Sequence, residues 1–80
     1  MARLRLFGSA REAAGMSGAL VPGDSVAAVV AGARELFGEQ FSTVVDRSRL
    51  WVNGEEAEPD TPVGDHDEVA VIPPVSGGCT

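Results

Sequence analysis

The residues of this chain that could take part in chemistry are concentrated at its C-terminus, where two glycines closely follow two prolines. Residues 68–72 form a strand-like run, and the prolines after it end sheet pairing because they lack an amide hydrogen. They also hold the chain extended, so that Val75 to Gly78 would span roughly 13 Å. Gly77 and Gly78 have no side chains and fit a gap that excludes bulkier residues. A folded body with such an arm suits a protein that offers its own terminal carboxyl group to an enzyme.

Length and charge exclude several classes of function. A chain of 80 residues makes one small domain with little room for an active-site cleft of its own. This favours a carrier or a binding module over a stand-alone enzyme. The net charge of −6 disfavours binding to a phosphate backbone, and no apolar run is long enough to span a membrane. We therefore expect a cytoplasmic protein with neither nucleic-acid nor membrane partners.

Hydrophobic periodicity predicts an α+β domain in which one main helix lies across a mixed sheet. A short helix is expected from Ser9, as its cap, to Ala14, and the main helix from a cap at Asp24-Ser25 to Gly38. Alternation predicts strands over Arg3–Leu6, Ala19–Val21, Leu50–Val52 and Glu68–Ile72. The apolar positions expected to bury the main helix are Val26, Val29, Val30, Ala33, Leu36 and Phe37.

The segment from Glu55 to Asp67 is acidic and contains two prolines. It is expected to be a solvated connection, and the alternative is a docking surface for a basic partner. His66, the only histidine, is expected to be a surface residue of a turn that Asp65 and Asp67 shape through bonds to the backbone. No metal site is expected.

The sequence resembles the ubiquitin-like sulfur carriers of the MoaD and ThiS type, MoaD being the small subunit of molybdopterin synthase. Three stretches carry the resemblance: residues 5–12, which include Ala10-Arg11-Glu12; Val52-Asn53-Gly54; and residues 64–78, which end in Pro73-Pro74-Val75-Ser76-Gly77-Gly78. The resemblance implies a β-grasp (ubiquitin-like) fold for residues 1–74, with residues 75–80 as a flexible tail that carries the two glycines.

The resemblance also implies a chemistry for Gly78. A carboxylate is a poor electrophile, and adenylation by ATP supplies it with a good leaving group. A sulfur nucleophile then displaces AMP and leaves a thiocarboxylate. In the family this happens inside a ubiquitin-activating-type adenylating enzyme, into which Pro74, Val75, Ser76 and Gly77 would thread, and a larger synthase subunit accepts the sulfur. The carrier binds no cofactor of its own, and the ATP is used by the activating partner.

The chain departs from the simplest family members because Cys79-Thr80 follows Gly78 and ties up its carboxyl group. Three hypotheses are open. A peptidase removes the two residues at the junction of Gly78 and Cys79; or the two residues are a cloning remnant or a degenerate extension; or the Cys79 thiol attacks the Gly78 carbonyl carbon in an N-to-S acyl shift. Nothing near Cys79 in the sequence would lower the pKa of its thiol, which disfavours the third.

Two residues are candidates for docking a partner. If Leu50 and Val52 face the core, Trp51 faces outward, where it either anchors an interface or covers a loop of its own domain. Ile72 is expected to point outward beside the tail and to form part of the surface that a partner contacts.

The predicted function is a sulfur carrier that is not itself an enzyme, with molybdopterin as the first expected product. Because Cys79-Thr80 caps the tail of this chain, the alternative destinations of the sulfur are thiamin, cysteine or a sulfur-containing secondary metabolite. Two alternatives belong to other classes: a modifier that is conjugated to lysines of target proteins, and a plain binding module whose tail is inert. The chain contains no lysine, so it cannot form isopeptide-linked chains on itself.

Overall fold

A five-stranded mixed sheet carries three helices in the computed structural model, which describes residues 1–74. The strands are β1 (Ala2–Leu6), β2 (Gly18–Val21), β3 (Arg49–Val52), β4 (Glu55–Glu56) and β5 (Glu68–Ile72), and the helices are α1 (Gly8–Ala14), α2 (Val26–Phe37) and α3 (Glu39–Arg47).

The strand that leads into the tail lies at the centre of the sheet. The strand order is β2-β1-β5-β3-β4. β5 runs parallel to β1 and antiparallel to β3, so both of its edges are paired. This mixed sheet with helices packed on it is the α+β, β-grasp arrangement that the sequence predicts.

Alternation along the strands separates a covered face of the sheet from an open one. In β1 the buried residues are Ala2, Leu4 and Leu6, and in β5 they are Val69 and Val71. Because successive side chains of a strand point to opposite faces, the residues between them lie on the open face. The covered face packs on buried residues of all three helices: Ala10, Val26, Val29, Val30, Ala33, Phe41 and Val45.

The helix α3 is absent from the sequence prediction. It has nine residues, and its fully buried contact is Phe41, whose ring meets that of Phe37 edge-on at 5.0 Å between centroids. Val45 follows one turn later on the same side. Only two buried positions in a polar segment give too short an apolar pattern to identify a helix. Packing of this segment on the core stabilises it as a helix.

Three further local expectations are wrong. The helix α1 begins at Gly8 with extended Phe7 as its cap residue, so Ser9 lies in the first turn and does not cap it. Leu36 is 61% exposed because it lies at the margin of the apolar stripe, on the last turn of α2. Glu55 and Glu56 are not part of a connection, since they pair with β3 as the strand β4.

Other expectations for the main helix are confirmed. Ser25 caps α2, and its hydroxyl oxygen accepts a hydrogen bond of 3.1 Å from the Ala28 amide. Gly32 lies in the middle of the helix where a Cβ atom would come within 2.9 Å of Val21 Cγ1. The glycine therefore lets α2 approach β2 closely.

We predict that Gly38→Asn destabilises the fold much more than Gly15→Asn. Both glycines have positive φ and open space around them, but Gly15 (φ 79°, ψ 13°) is left-handed helical, a conformation that asparagine tolerates. Gly38 (φ 94°, ψ −168°) joins α2 to α3 in a region that essentially only glycine adopts, which should cost about 1–3 kcal/mol. Urea denaturation measures both, and equal losses of unfolding free energy would contradict the prediction.

Candidate docking face and root of the tail

An apolar patch lies on the open face of the sheet beside the end of β5. The β3–β5 register places Trp51 opposite Ala70, and both lie on the open face with Ile72 because the alternate residues of β5 are buried. Phe7, directly after β1, joins them. Together with Gly54 and Glu68 these residues line a groove of about 320 Å³. We refer to Phe7, Trp51, Ala70 and Ile72 as the open-face patch.

The patch exposes large apolar side chains to solvent. Phe7 is 41% and Ile72 is 37% exposed, while Trp51 is half-buried. The expectation that Trp51 and Ile72 face outward is therefore confirmed. The Nε1 atom of Trp51 is covered and has no hydrogen-bond partner within residues 1–74. One edge of the indole thus packs against its own domain, while the ring also lines the groove.

Charged residues surround the patch. The Arg5 guanidinium carbon lies 5.6 Å from the centroid of the Phe7 ring, and its Nη1 lies 3.6 Å from a carboxylate oxygen of Glu68. Arg49 and Glu56 form an ion pair of 2.6 Å on β3 and β4. Exposed pairs of this kind add little to stability. These ion pairs give the apolar patch a polar rim. An apolar centre with a polar rim is the composition of a protein–protein interface.

The root of the tail rests on α1 and α3. An added Cβ atom at Gly8 would lie 3.7 Å from Pro73 Cγ, so the backbone at the start of α1 approaches the first proline closely. A groove of about 190 Å³ continues along this side, lined by Ser9, Thr43, Val44, Arg47, Pro73 and Pro74. Of the predicted tail residues, Pro74 lies here and is exposed. Val75, Ser76, Gly77, Gly78 and Cys79 lie outside the described residues.

The opposite end of β5 is fixed by Asn53, a residue whose role the sequence analysis did not identify. Asn53 adopts φ 51° in the two-residue turn between β3 and β4. Its backbone amide donates to the Glu68 carbonyl oxygen (2.9 Å), and its side-chain oxygen accepts from the Glu68 amide (3.0 Å). The Asn53-Gly54 pair forms the turn of the β3–β4 hairpin, and the Asn53 side chain also holds the first residue of β5.

Asp67 completes this connection. Its carboxylate accepts hydrogen bonds from the Asn53 side-chain amide (2.9 Å) and from the Gly64 backbone amide (2.8 Å). These bonds stabilise the charged form and lower the pKa of Asp67 below its ordinary value of 3.8. Asp65 pairs with the N-terminal amine at 2.5 Å, which lowers its pKa in the same way. The expected turn around exposed His66 is confirmed, with the Asp67–Gly64 bond closing it. The expected role of Asp65 in shaping this turn is wrong, because its carboxylate bonds to the N-terminal amine instead.

We predict that Asp67 makes stability pH-dependent on the acid side. Its folded pKa is the lower one, so its contribution is complete above pH 3.8 and is lost as the pH falls through the folded value. Asp67→Asn cannot titrate. The difference in unfolding free energy between the native chain and this variant should be constant near neutrality and should shrink on acidification. Urea denaturation between about pH 2 and pH 6 measures it.

Asp60→Asn is the matched control, because Asp60 is an exposed carboxylate with no side-chain hydrogen bond in the described part of the chain. A difference for Asp67→Asn that does not change with pH, or one equal to that of the control, would contradict the assignment.

In residues 1–74, no three His, Cys, Asp or Glu side chains come together as a metal site. Over the same residues, the helices are too short or too polar to cross a bilayer.

Comparison with solved structures reproduces this architecture. SAMP1 from Haloferax volcanii superimposes with a TM-score of 0.79 at 29% identity, covering 95% of this chain and 97% of its own. A Pyrococcus furiosus protein described as molybdopterin converting factor, subunit 1, gives a TM-score of 0.76 at 26% identity, covering 92% of this chain and 97% of its own. In the complex of BexX and CysO from Amycolatopsis orientalis, the matched chain gives 0.79 at 17% identity, covering 98% and 100%.

No curated protein sequence matches the chain. The sequence model of the ThiS family does match it, over residues 4–78, which is nearly its whole length. The structural neighbours, SAMP1, CysO and the molybdopterin converting factor subunit, are β-grasp proteins of the same kind. The chain therefore belongs to the ThiS family of ubiquitin-like sulfur carriers and modifiers.

Proposed function

We propose that this chain carries sulfur as a thiocarboxylate on Gly78, which becomes its terminal residue after removal of Cys79-Thr80. The observation that carries the proposal is the position of β5. This strand is paired on both edges, ends at Pro73-Pro74, and delivers the chain beside the open-face patch. A partner that contacts the patch would therefore receive the following residues at a fixed place relative to its own surface.

The proposed reaction has two steps on the trimmed terminus. The Gly78 carboxylate oxygen attacks the α-phosphorus of ATP, pyrophosphate leaves, and an acyl-adenylate forms. A sulfur nucleophile at the oxidation level of sulfide then attacks the acyl carbon and AMP leaves with the former carboxylate oxygen. The product is –C(O)S⁻. Glycine at positions 77 and 78 leaves the acyl carbon accessible from every side.

Three partners follow from this scheme. A ubiquitin-activating-type adenylating enzyme would use the ATP, a sulfur-acceptor synthase would consume the thiocarboxylate, and a peptidase would cut between Gly78 and Cys79. No cofactor bound by the carrier itself is required. A neighbour in the fold has been solved as the BexX/CysO complex, which supports a partner protein in general terms.

The similarity to the Pyrococcus furiosus molybdopterin converting factor subunit favours molybdopterin as the product of the pathway. A second candidate, covalent attachment of Gly78 to lysines of target proteins, is favoured by the similarity to SAMP1, a small archaeal modifier protein. The two differ in product. A carrier gains the mass difference between sulfur and oxygen at its terminus, whereas a modifier appears as a ladder of adducts on immunoblots.

The intact mass of the protein isolated from its native cells tests the proposal. We expect loss of the last two residues. In the molecules that carry sulfur, we also expect replacement of one terminal oxygen by sulfur. Cys79→Pro should block cleavage and abolish sulfur delivery, because proline after the scissile bond resists most peptidases. A chain that stops at Gly78 should restore delivery without the peptidase.

Cys79→Ala is the matched control, because it leaves a small residue at the cleavage site and removes the thiol. Normal delivery by Cys79→Ala excludes the N-to-S acyl shift. Active protein that retains Cys79-Thr80 in every molecule, or full activity of Cys79→Pro, would overturn the trimming scheme.

The open-face patch gives a second prediction. Trp51→Ala and Ile72→Lys should each weaken binding to the adenylating enzyme by about tenfold or more, since truncating an aromatic anchor in an interface centre costs about 2 kcal/mol. Calorimetric titration of a chain ending at Gly78 measures the affinity. Leu36→Lys is the control, because Leu36 is also a large apolar side chain exposed to solvent (61%) but lies on α2.

Circular dichroism should show that all three variants fold. Unchanged affinity of Trp51→Ala would mean that Trp51 serves its own domain only, and unchanged affinity of both patch variants would place the docking surface elsewhere.

A further inference from the structure

The two edges of the sheet are protected to different degrees. At one edge β4 is only two residues long and consists of Glu55 and Glu56, so it carries the charges that usually prevent edge-to-edge pairing. At the other edge β2 has no charged residue. Its Leu20 is 62% exposed, the largest exposed fraction of any large apolar side chain in residues 1–74. An uncharged, apolar edge strand is a template for a further strand.

The register of β2 shows which backbone groups are free to pair. Leu4 lies opposite Ala19, and the Leu6 amide donates to the Ser17 carbonyl oxygen at 2.9 Å. Because hydrogen-bonded and non-hydrogen-bonded pairs alternate in an antiparallel ladder, Ser17, Ala19 and Val21 bond to β1. The amide and carbonyl groups of Gly18 and Leu20 therefore point away from the sheet.

We propose that two copies of the chain associate through antiparallel pairing of their β2 strands. With a twofold axis at Ala19, Gly18 of each copy lies opposite Leu20 of the other, and each such pair exchanges both of its hydrogen bonds. The Leu20 side chain lies on the open face, since Ala19 and Val21 turn toward the core. Leu20 thus projects beside a residue that has no side chain.

The same glycine is required within the monomer, because a Cβ atom at Gly18 would lie 2.9 Å from the Leu4 carbonyl oxygen. The absence of a side chain at Gly18 is therefore a fixed feature of the edge. Leu20 of the same strand, the most exposed leucine, is two residues away, which is the spacing that places it opposite Gly18 of a copy related by a twofold axis at Ala19. This self-complementarity identifies a second copy as the occupant. The pairing brings no charged side chains of the two β2 strands together.

The association is expected to be weak and dependent on salt. One strand from each copy makes a small interface, and interfaces below about 1,000 Å² are generally transient. Each copy also carries a net charge of −6, and screening of their repulsion should strengthen the pairing. The strand β1 separates β2 from β5, so the open-face patch and the root of the tail stay accessible in the dimer. The inference therefore does not depend on the proposed function.

Sedimentation velocity of the full chain, with a reducing agent to prevent disulfides through Cys79, tests the proposal. The apparent mass should rise from 8.2 kDa toward twice that value between about 10 µM and 1 mM, and should rise further when salt is added. Leu20→Lys should keep the chain monomeric throughout. Leu36→Lys should behave as the native chain does, because Leu36 is 61% exposed but belongs to the last turn of α2 and not to the edge strand.

Amide exchange supplies an independent readout. The Gly18 and Leu20 amides should become more protected as concentration rises, while those of Glu55 and Glu56 on the other edge should not. A monomer at every concentration, an association that Leu20→Lys leaves intact, or one that both leucine variants abolish would overturn the proposal.

Discussion

The pairing of β5 with β1 on one side and β3 on the other is the constraint on which the rest of the structure depends. It joins the last strand of the domain to the first one in parallel, so the ends of the described chain are brought together by contacts of very long sequence separation. It also buries Val69 and Val71 completely on the covered face, between the sheet and the helices. If β5 were an edge strand, Pro73 and Pro74 would follow a strand paired on one side only, and their position beside α1 would be less well defined.

Both ends of this strand are held, but by different forces. At its start, Asn53 bonds to the backbone of Glu68, and it is itself held by the ionised carboxylate of Asp67, which also accepts from the Gly64 amide. At its end, Pro73 packs on the backbone of Gly8 without any such bond. The exit of the chain is therefore fixed by shape, and it is insensitive to pH and salt in a way that the start of the strand is not.

The sequence was sufficient to predict the elements that have a long apolar pattern and a residue, such as a helix cap or a proline, that marks where the element begins or ends. The main helix with its Ser25 cap and the alternation of β5 belong to this group. It was insufficient for α3, because Phe41 and Val45 become a buried face only when the core they contact is present. The participation of Phe7 in the open-face patch was also missed, since that depends on how the end of β1 lies beside β5 and β3. The indication of this role in the sequence was that Phe7 is a lone aromatic residue between β1 and α1.

The charges of the domain are separated along the direction of β5, and this separation bears on how a partner would approach. Asp65, Asp67 and Glu68 lie at the start of the strand, whereas Arg49 lies opposite Ile72 at its end, and Arg47 lines the groove with the prolines. In a chain of net charge −6, Arg47 and Arg49 thus place positive groups beside the root of the tail, although Arg49 is also paired with Glu56. A partner with a field of its own would orient this domain before contact, with the tail leading if the entrance of its active site is acidic and with the tail trailing if it is basic. For a partner that contacts the open-face patch, the first orientation would be the productive one, because Ile72 and the two prolines lie at the same end of β5. The salt dependence of the association rate with such a partner would therefore reflect these arginines as well as the acidic residues of the segment 55–67, and the apolar patch would set how long the complex lasts.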